Sequence, residues 1–339
     1  MTPETSRTHA ERGSAPSMQP PLTPNAEIQE RNCSVGRTID VIGDGWSFMI
    51  LRECYFGVRR FEQFKEILGL PRTTLADRLR TLTAKGLLRQ VLYSERPPRF
   101  EYQLTRLGID LYPVMMALMS FGDKWLAGRR RKPLQLIHHN CGQPCSAIVI
   151  CSKCRAEILP SNVSYRDGPG AGTSVIHTKR KSRRSADPTA LEHRRPSSVA
   201  RALQVIGDRW SFMIIREAFF RVRRFDHLQN NLGIAPNILI DRLNRLVDNG
   251  VFRKVLYQSG PNRYEYRFTD KGRDLFGSMI AMLRWGDKWL SDGAPPLILT
   301  HNDCGKDFEP TVACDQCREA LNAHSMRFTM NYRDPKPSE

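Results

Sequence analysis

The sequence predicts a mainly α-helical chain with small β-hairpins, an α+β fold built from two copies of one domain. Three observations predict it: a long internal repeat, apolar residues at helical spacing through most of each copy, and a β-branched and aromatic run near the end of each copy. The length of 339 residues suits two domains of ordinary size. A single small domain is thereby excluded.

The repeat begins with VIGDGWSFMILRE at Val41, which recurs as VIGDRWSFMIIRE at Val205, 164 positions later. The same separation relates Arg59-Arg60-Phe61 to Arg223-Arg224-Phe225, and no gap is needed as far as the two GDKWL segments. Similarity over this length indicates that a whole domain was duplicated. Each copy is long enough to hold its own core, unlike the short unit of a solenoid.

The first half of each copy is predicted to be helical. In the first copy, helical spacing of apolar residues from Ile39 to Phe56 is interrupted at Gly43–Gly45, which indicates two short helices. Arg60 to Leu68 follows as a third helix. Pro71 suits the first position of a fourth helix, which runs to Ala84. A helix, a tight turn and a second amphipathic helix are typical of a helix-turn-helix.

The second half of each copy is predicted to be a β-hairpin and a long helix. Strand-like runs at Leu87–Tyr93 and Phe100–Leu104 flank a turn at Ser94–Arg99, which predicts a hairpin, or wing. The final helix, Arg106–Leu126 in the first copy and Lys271–Leu290 in the second, has a broad apolar face. Because one small domain cannot cover such a face, we expect these helices to pair within the chain or in a homodimer.

These patterns divide the chain into six segments. They are a disordered tail (1–30), a winged helix-turn-helix domain (31–128), a Cys/His-containing hairpin (133–159), a flexible basic linker (160–196), a second winged helix-turn-helix domain (197–292) and a second Cys/His-containing hairpin (295–330). The linker is rich in Ser, Gly, Pro and Arg, and the tail lacks any apolar run.

The charge balance favours a polyanionic partner. The chain has 52 Lys and Arg against 35 Asp and Glu, a net charge of +17. Such an excess points to nucleic acid before a membrane surface, with ordinary solvated charge as the alternative. No apolar stretch approaches the roughly 18 residues of a membrane helix, and the first segment lacks a secretory core. We expect a soluble cytoplasmic protein, associated with the nucleoid through DNA.

The sequence has no enzyme motif between the secondary-structure elements that such a motif requires. No metalloprotease, phosphate-loop or dinucleotide-binding pattern stands between the elements that such sites need. The sequence therefore predicts a binding protein rather than an enzyme.

The fourth helix of each copy is the predicted DNA reader, because the second helix of a helix-turn-helix lies in the major groove. If Leu75, Leu79 and Leu82 are buried, a rotation of about 100° per residue turns the polar residues outward. The candidate DNA contacts of the first copy are Arg59, Arg60, Arg72, Thr73, Asp77, Arg78 and Arg80, with Arg96 and Arg99 in the wing. Arg78 lies on the flank and could instead pair with Asp77. A solvated helix face is the alternative interpretation.

The reading face differs between the two copies. The candidate contacts of the second copy are Arg223, Arg224, Asn237, Asp241, Arg242, Asn244 and Arg263. Asn237 and Asn244 stand where the first copy has Thr73 and Arg80. Since arginine suits guanine and asparagine suits adenine, the copies should prefer different half-sites. One chain could then bind double-stranded DNA as an intramolecular pseudo-dimer.

A Cys/His set follows the final helix of each copy. The candidate metal ligands are His139, Cys141, Cys151 and Cys154 in the first copy and His301, Cys304, Cys314 and Cys317 in the second. One His and three Cys suit a closed structural zinc site, so two zinc sites are predicted, one in each copy. The leading His–Cys spacing differs by one residue between copies, and His138 and Cys145 offer substitutes. Reduced thiols in a small hairpin, or a redox-reactive CxxC, are the alternatives.

A set of motifs in fixed order resembles the HxlR-type family of bacterial winged helix-turn-helix transcriptional regulators. It comprises CSVGRTIDVIGDGW from Cys33, LADRL from Leu75 and PPRFEY from Pro97, with counterparts in the second copy. The resemblance implies a DNA-binding regulator, expected here to be a repressor, whose terminal helices mediate dimerisation. Two such domains on one chain depart from the usual single domain.

The resemblance also makes Cys33 a redox candidate, because some regulators of this family sense oxidants through an N-terminal cysteine. Ser197 occupies the equivalent position, and a small buried residue at a helix start is the alternative interpretation of Cys33. Two other functions stay open. They are a redox- or zinc-responsive regulator that uses Cys33 or the CxxC pairs, and a non-specific basic nucleic-acid-binding protein.

Overall fold

The computed structural model describes residues 29–128, 132–175 and 195–332. It confirms a mixed α and β fold with two winged helix-turn-helix domains. The first half contains β1 (Gln29–Arg31), α1 (Ser34–Ile42), α2 (Gly45–Tyr55), α3 (Phe61–Leu68), α4 (Arg72–Ala84), β2 (Leu88–Glu95), β3 (Pro98–Leu104), α5 (Arg106–Ile109), α6 (Tyr112–Trp125), β4 (Leu134–His138), β5 (Pro144–Cys145), β6 (Ala147–Cys151), β7 (Val163–Asp167) and β8 (Thr173–Val175).

The second half repeats this order. It contains α7 (Ser198–Ile206), α8 (Arg209–Phe219), α9 (Phe225–Leu232), α10 (Pro236–Asp248), β9 (Phe252–Gln258), β10 (Arg263–Phe268), α11 (Asp270–Leu290), β11 (Leu297–His301), β12 (Lys306–Phe308), β13 (Pro310–Cys314) and β14 (Met326–Met330). Among the described helices, none has the length and apolar character needed to cross a membrane.

Capping residues and glycines determine where the helices of each helix-turn-helix begin and end. The carboxylate of Asp44 accepts a hydrogen bond from the backbone N–H of Ser47 and caps α2, as Asp208 caps α8. Gly69 ends α3 with a φ of 65° and Gly233 ends α9 with a φ of 56°. Only glycine adopts this left-handed conformation freely, so the chain can turn at once into α4 or α10.

The final helix differs between the copies. The sequence predicts one helix over 106–126, but the structure breaks it into α5 and α6. Pro113 explains the break, since proline has no N–H for the helical ladder and its ring clashes with the preceding turn. The second copy has Gly277 at this position, and α11 is continuous.

The two copies pack through exchanged helices. Helix α1 lies on α11 of the other copy, and α7 lies on α6. A Cβ on Gly286 would lie 2.4 Å from the Ser34 carbonyl oxygen, and a Cβ on Gly122 would lie 2.0 Å from that of Ser198. The helices therefore approach to a distance that only glycine permits.

Equivalent polar side chains exchange matching hydrogen bonds across this interface. The pairs are Ser34 to Asp287 (2.5 Å), Ser198 to Asp123 (2.5 Å), Trp125 to Asp274 (2.6 Å) and Trp289 to Asp110 (2.7 Å), each donor named first. The repetition of the same contacts in both directions shows that the copies are related by a pseudo-two-fold arrangement.

The small sheets also join the copies. Strand β4 pairs with β14, β7 pairs with β11, and β6 pairs with β13, all antiparallel. In the β6–β13 ladder, Cys151 lies opposite Pro310 and Cys314 lies opposite Ala147. The two cysteines thus stand at opposite ends of one ladder.

The flexible linker predicted for 160–196 is wrong in its first part. Residues 163–167 form β7 against β11, and residues 173–175 form β8 against β1. The same β1 shows that the predicted disordered tail, 1–30, reaches into a strand at its end. Strand partners from distant segments explain both differences, since the composition of a segment carries no information about them. The remainder of the tail and residues 176–194 lie outside the described residues.

Candidate nucleic-acid interface and cysteine clusters

Helix α4 presents a polar face to solvent. Leu75, Leu79 and Leu82 are fully buried against the domain core, as the helical spacing predicts. On the other side Arg72 and Thr73 are exposed, and the side chain of Arg80 is 78% exposed. This is the geometry that base contacts require, and base reading by these residues stays a prediction.

Arg78 and Arg242 are the exceptions among the predicted contacts. Arg78 is only 12% exposed and lies 2.6 Å from the carboxylate of Asp44, the cap of α2. Arg242 lies 3.0 Å from Asp208 in the same way. Both arginines sit on the flank of their helix, where a long side chain reaches the N-terminus of α2 or α8. These ion pairs tie α4 to α2 and α10 to α8, and contact of either arginine with DNA stays a prediction.

Two carboxylates of the second copy stabilise the charged form of Arg242. Burial opposes the charged form, yet Asp208 and Asp241 hold the pKa of Arg242 above its ordinary value. In the first copy, Asp77 accepts hydrogen bonds of 2.7 Å from both Arg78 and Arg80. Asp77 and Asp241 are therefore engaged by neighbouring arginines, and contact of either with a base stays a prediction.

Single substitutions of Arg78 and Arg80 by alanine distinguish a residue that stabilises the domain from a residue that contacts DNA. Arg78→Ala removes one partner of a nearly buried ion pair and should cost about 2 kcal/mol of unfolding free energy, measured by denaturant titration. Arg80→Ala should leave stability unchanged and weaken specific DNA binding by ~1–3 kcal/mol, about 5- to 150-fold. Equal stability of both variants would contradict the assignment of Arg78.

Helix α10 carries a different outward face. Asn237 and Asn244 are exposed, and Lys254 donates a 3.1 Å hydrogen bond to the side-chain oxygen of Asn244. Between them lies Ile240, which is 50% exposed, where the first copy has Ala76. Sequence reasoning missed Ile240. The sequence pattern that could have identified Ile240 is an isoleucine between two outward polar positions. An apolar side chain on this face can contact a thymine methyl group.

The wing lies beside the start of the third helix in each copy. The guanidinium of Arg60 stacks 4.8 Å from the ring centre of Tyr93, and that of Arg224 lies 4.9 Å from Tyr257. The predicted contacts Arg59, Arg96, Arg99, Arg223 and Arg263 are all exposed. The turn is tighter than predicted, because β2 extends to Glu95 and β3 begins at Pro98. Phosphate contact by these arginines stays a prediction.

Two groups of one His and three Cys meet within the β-rich segments. The first is His138, Cys141, Cys314 and Cys317, and the second is Cys151, Cys154, His301 and Cys304. Within each group, the candidate ligand atoms all lie within 4.8 Å of one another. In the first, Nδ1 of His138 is 3.2 Å from Sγ of Cys317 and the Sγ atoms of Cys141 and Cys314 are 3.9 Å apart.

The grouping corrects two predictions. His138, not His139, joins the first cluster, because Leu134, Leu136 and His138 share the buried side of β4 whereas His139 is exposed beyond its end. With His138, the spacing HxxC is the same in both copies.

Each cluster also takes two ligands from each copy, not four from one copy as predicted. The physical reason is the antiparallel β6–β13 ladder. It places Cys151 and Cys314 at opposite ends, so that each CxxC pair meets the HxxC pair of the other copy.

The donor set fits zinc. Zinc–sulfur bonds of about 2.3 Å in a tetrahedron place two sulfurs roughly 3.8 Å apart, close to the spacing of Cys141 and Cys314. The backbone N–H of Ala156 lowers the pKa of Cys154, which favours the thiolate that a metal binds. Asp303 lies 3.2 Å from Nε2 of His301 and can orient the ring. Burial raises the pKa of Cys145 to about 12, which favours its neutral thiol.

Cys33 occupies the N-cap position of α1 without a side-chain capping hydrogen bond and is buried. Ser197, its counterpart, accepts a 3.1 Å hydrogen bond from the backbone N–H of Ala200. The thiol of Cys33 also lies beside Arg216 of the other copy, whose pKa is raised by Cys33, Glu217 and Glu30 against the opposing effect of burial. A redox role for Cys33 stays a prediction.

A family model matches both copies of the repeat, and curated proteins match part of the chain. A family model described as HxlR-like helix-turn-helix matches residues 41–130 and 205–294. An uncharacterised HTH-type transcriptional regulator of Mycobacterium tuberculosis is 45% identical over 138 residues, which are 40% of this chain and 87% of that regulator. One of Synechocystis is 38% identical over 95 residues, 28% of this chain and 70% of that regulator.

A solved structure is similar over part of the chain. The crystal structure of PA1607, described as a candidate transcription factor, is 40% identical and covers 38% of this chain and 91% of its own, with a TM-score of 0.35.

Proposed function

The chain belongs to the HxlR-like helix-turn-helix family of transcriptional regulators, which are not enzymes, and we propose that it is a sequence-specific repressor that binds an operator in double-stranded DNA. The observation that carries this proposal is the pair of helices α4 and α10. Each buries a leucine stripe and exposes polar residues where a major groove would lie. Occupation of an operator blocks access to it without a further surface, which favours repression.

We propose further that the two domains act as one pseudo-dimer within a single chain. The exchanged packing of α1 on α11 and α7 on α6 supports this, because it fixes the two reading helices relative to each other. Two reading helices with unlike outward residues favour an imperfectly symmetric operator. Its half-site centres should lie about 34–36 Å apart, or a multiple of that distance.

Selection of bound sequences from random DNA tests the proposal with the full chain. We expect one enriched site with two related but unequal half-sites, bound by one chain. Equal affinity for the selected site and for random DNA would contradict sequence-specific regulation and favour non-specific nucleic-acid binding.

The affinity should also depend steeply on salt. If the exposed arginines of the wings and third helices neutralise about six to ten phosphates, affinity falls by ~10³–10⁵ between 50 and 200 mM salt, because condensed counterions are released on binding. Fluorescence anisotropy of a labelled operator measures this slope. A flat dependence would contradict DNA as the partner.

For the cysteine clusters we propose zinc. His138, Cys141, Cys314 and Cys317 would hold one ion, and Cys151, Cys154, His301 and Cys304 the other. Zinc here would be structural, since four protein ligands leave no open position for chemistry. Because each site has ligands from both copies, bound zinc would link the two halves of the chain.

A further inference from the structure

A cleft of about 590 Å³ lies between α6 of the first copy and the first half of α11 of the second. Its inner wall is largely apolar and includes Ala117, Phe121, Val149 and Ile158. The volume is in the range of small-molecule sites, which are commonly 300–1,000 Å³.

At several positions, the counterpart of the cleft in the pseudo-two-fold arrangement carries larger residues. Ser120 and Ser146 line the cleft. The other half has Arg284 and Glu309 at these positions, and the two form an ion pair of 2.7 Å. Two serines thus replace an ion pair and leave space beside α6. Further replacements act in the same direction: Trp285, Pro310 and Pro113 stand where the cleft has Phe121, Ala147 and Gly277.

A buried polar atom in the cleft lacks a partner. Ser278 lines it, is only 1% exposed, and its hydroxyl forms no hydrogen bond in the described part of the chain. The other copy has Val114 at this position. A buried hydroxyl without a partner costs about 1–3 kcal/mol, so its presence where valine would fit points to a bound molecule that pairs with it.

The charges around the mouth of the cleft compensate one another. Lys124 lies 2.5 Å from Asp274, and Arg273 pairs with Asp270. Because these cations are neutralised by neighbouring carboxylates, the cleft offers no strong preference for an anion.

We propose that this cleft binds a small uncharged amphipathic molecule, whose apolar body lies on the inner wall and whose polar atom pairs with the hydroxyl of Ser278. In the other half of the chain, the Arg284–Glu309 ion pair takes the place of the two serines that line the cleft. The two long walls of the cleft belong to different copies, so a bound molecule would act on the contact between α6 and α11. Binding itself does not depend on the DNA function proposed above.

The test uses the neutral fluorescent probe N-phenyl-1-naphthylamine and the full chain. We expect saturable binding of one probe molecule per chain, with a rise in fluorescence. The double variant Ser120→Arg with Ser146→Glu rebuilds the ion pair of the other half and should weaken binding at least tenfold. Ser278→Val, which copies the residue of the other half, should weaken it several-fold without lowering the melting temperature of the free chain.

The absence of saturable probe binding by the unaltered chain would overturn the proposal. So would binding that neither variant changes, since the probe would then occupy another apolar cavity. If the double variant does not fold, Ser278→Val alone decides between these outcomes.

Discussion

Replacing Cys154 with serine is expected to remove one of the two zinc ions that we propose for each chain and to lower the melting temperature by roughly 10 °C. Cys154 is exposed, so the change of sulfur to oxygen has little effect on packing. The fall in melting temperature should therefore come from loss of the metal site, whose ligands link the first copy to the second. Metal content by mass spectrometry and thermal unfolding by circular dichroism measure the two effects.

Pairs of substitutions distinguish shared sites from sites within one copy. Cys154→Ser with Cys304→Ser alters a single cluster as the structure has it and should still leave one zinc ion per chain. Cys154→Ser with Cys141→Ser alters both clusters and should leave none. Sites formed within each copy would give the reverse result. Cys54→Ala is the matched control, because the second copy already has Ala218 there.

Substitution of Gly122 by alanine is expected to cost about 2–4 kcal/mol of unfolding free energy, among the largest effects of a single methyl group in this chain. The new Cβ would lie 2.0 Å from the carbonyl oxygen of Ser198, a backbone atom that cannot move aside alone. Helices α6 and α7 would have to separate, which shifts one copy against the other. Denaturant unfolding measures the cost, and operator affinity should fall with it.

Gly36→Ala is the control for this effect. Gly36 is also helical, but a Cβ there would lie 3.3 Å from the end of the flexible Met213 side chain. Because methionine can adjust and alanine favours the helix, this variant should be near neutral. A Gly122→Ala chain as stable as Gly36→Ala would contradict the close packing of the copies.

The repeat and the leucine spacing were enough to predict the fold of the two copies and the buried side of α4. Leu75, Leu79 and Leu82 are buried where a rotation of about 100° per residue places them. The helical spacing puts Arg78 on the flank of α4 beside Asp77, whereas its contact with Asp44 depends on how α4 packs on α2.

The exchange between copies could not be predicted. Strands β6 and β13 have similar apolar patterns, so the sequence does not tell whether a strand pairs within its own copy or with the other. The His139 prediction failed for a related reason. Only the register of β4 shows that His138 points to the buried side. Contacts between distant segments, not local preferences, decide these features.

The central claim is that one chain reads two unlike half-sites with α4 and α10. Grafting the outward residues of α10 onto α4 tests it most directly, through Thr73→Asn, Ala76→Ile and Arg80→Asn together. Selection of bound DNA should then yield a more symmetric operator in which only the half-site of the first copy has changed. Selection of the original operator by the grafted chain, or a change in both half-sites, would contradict the claim.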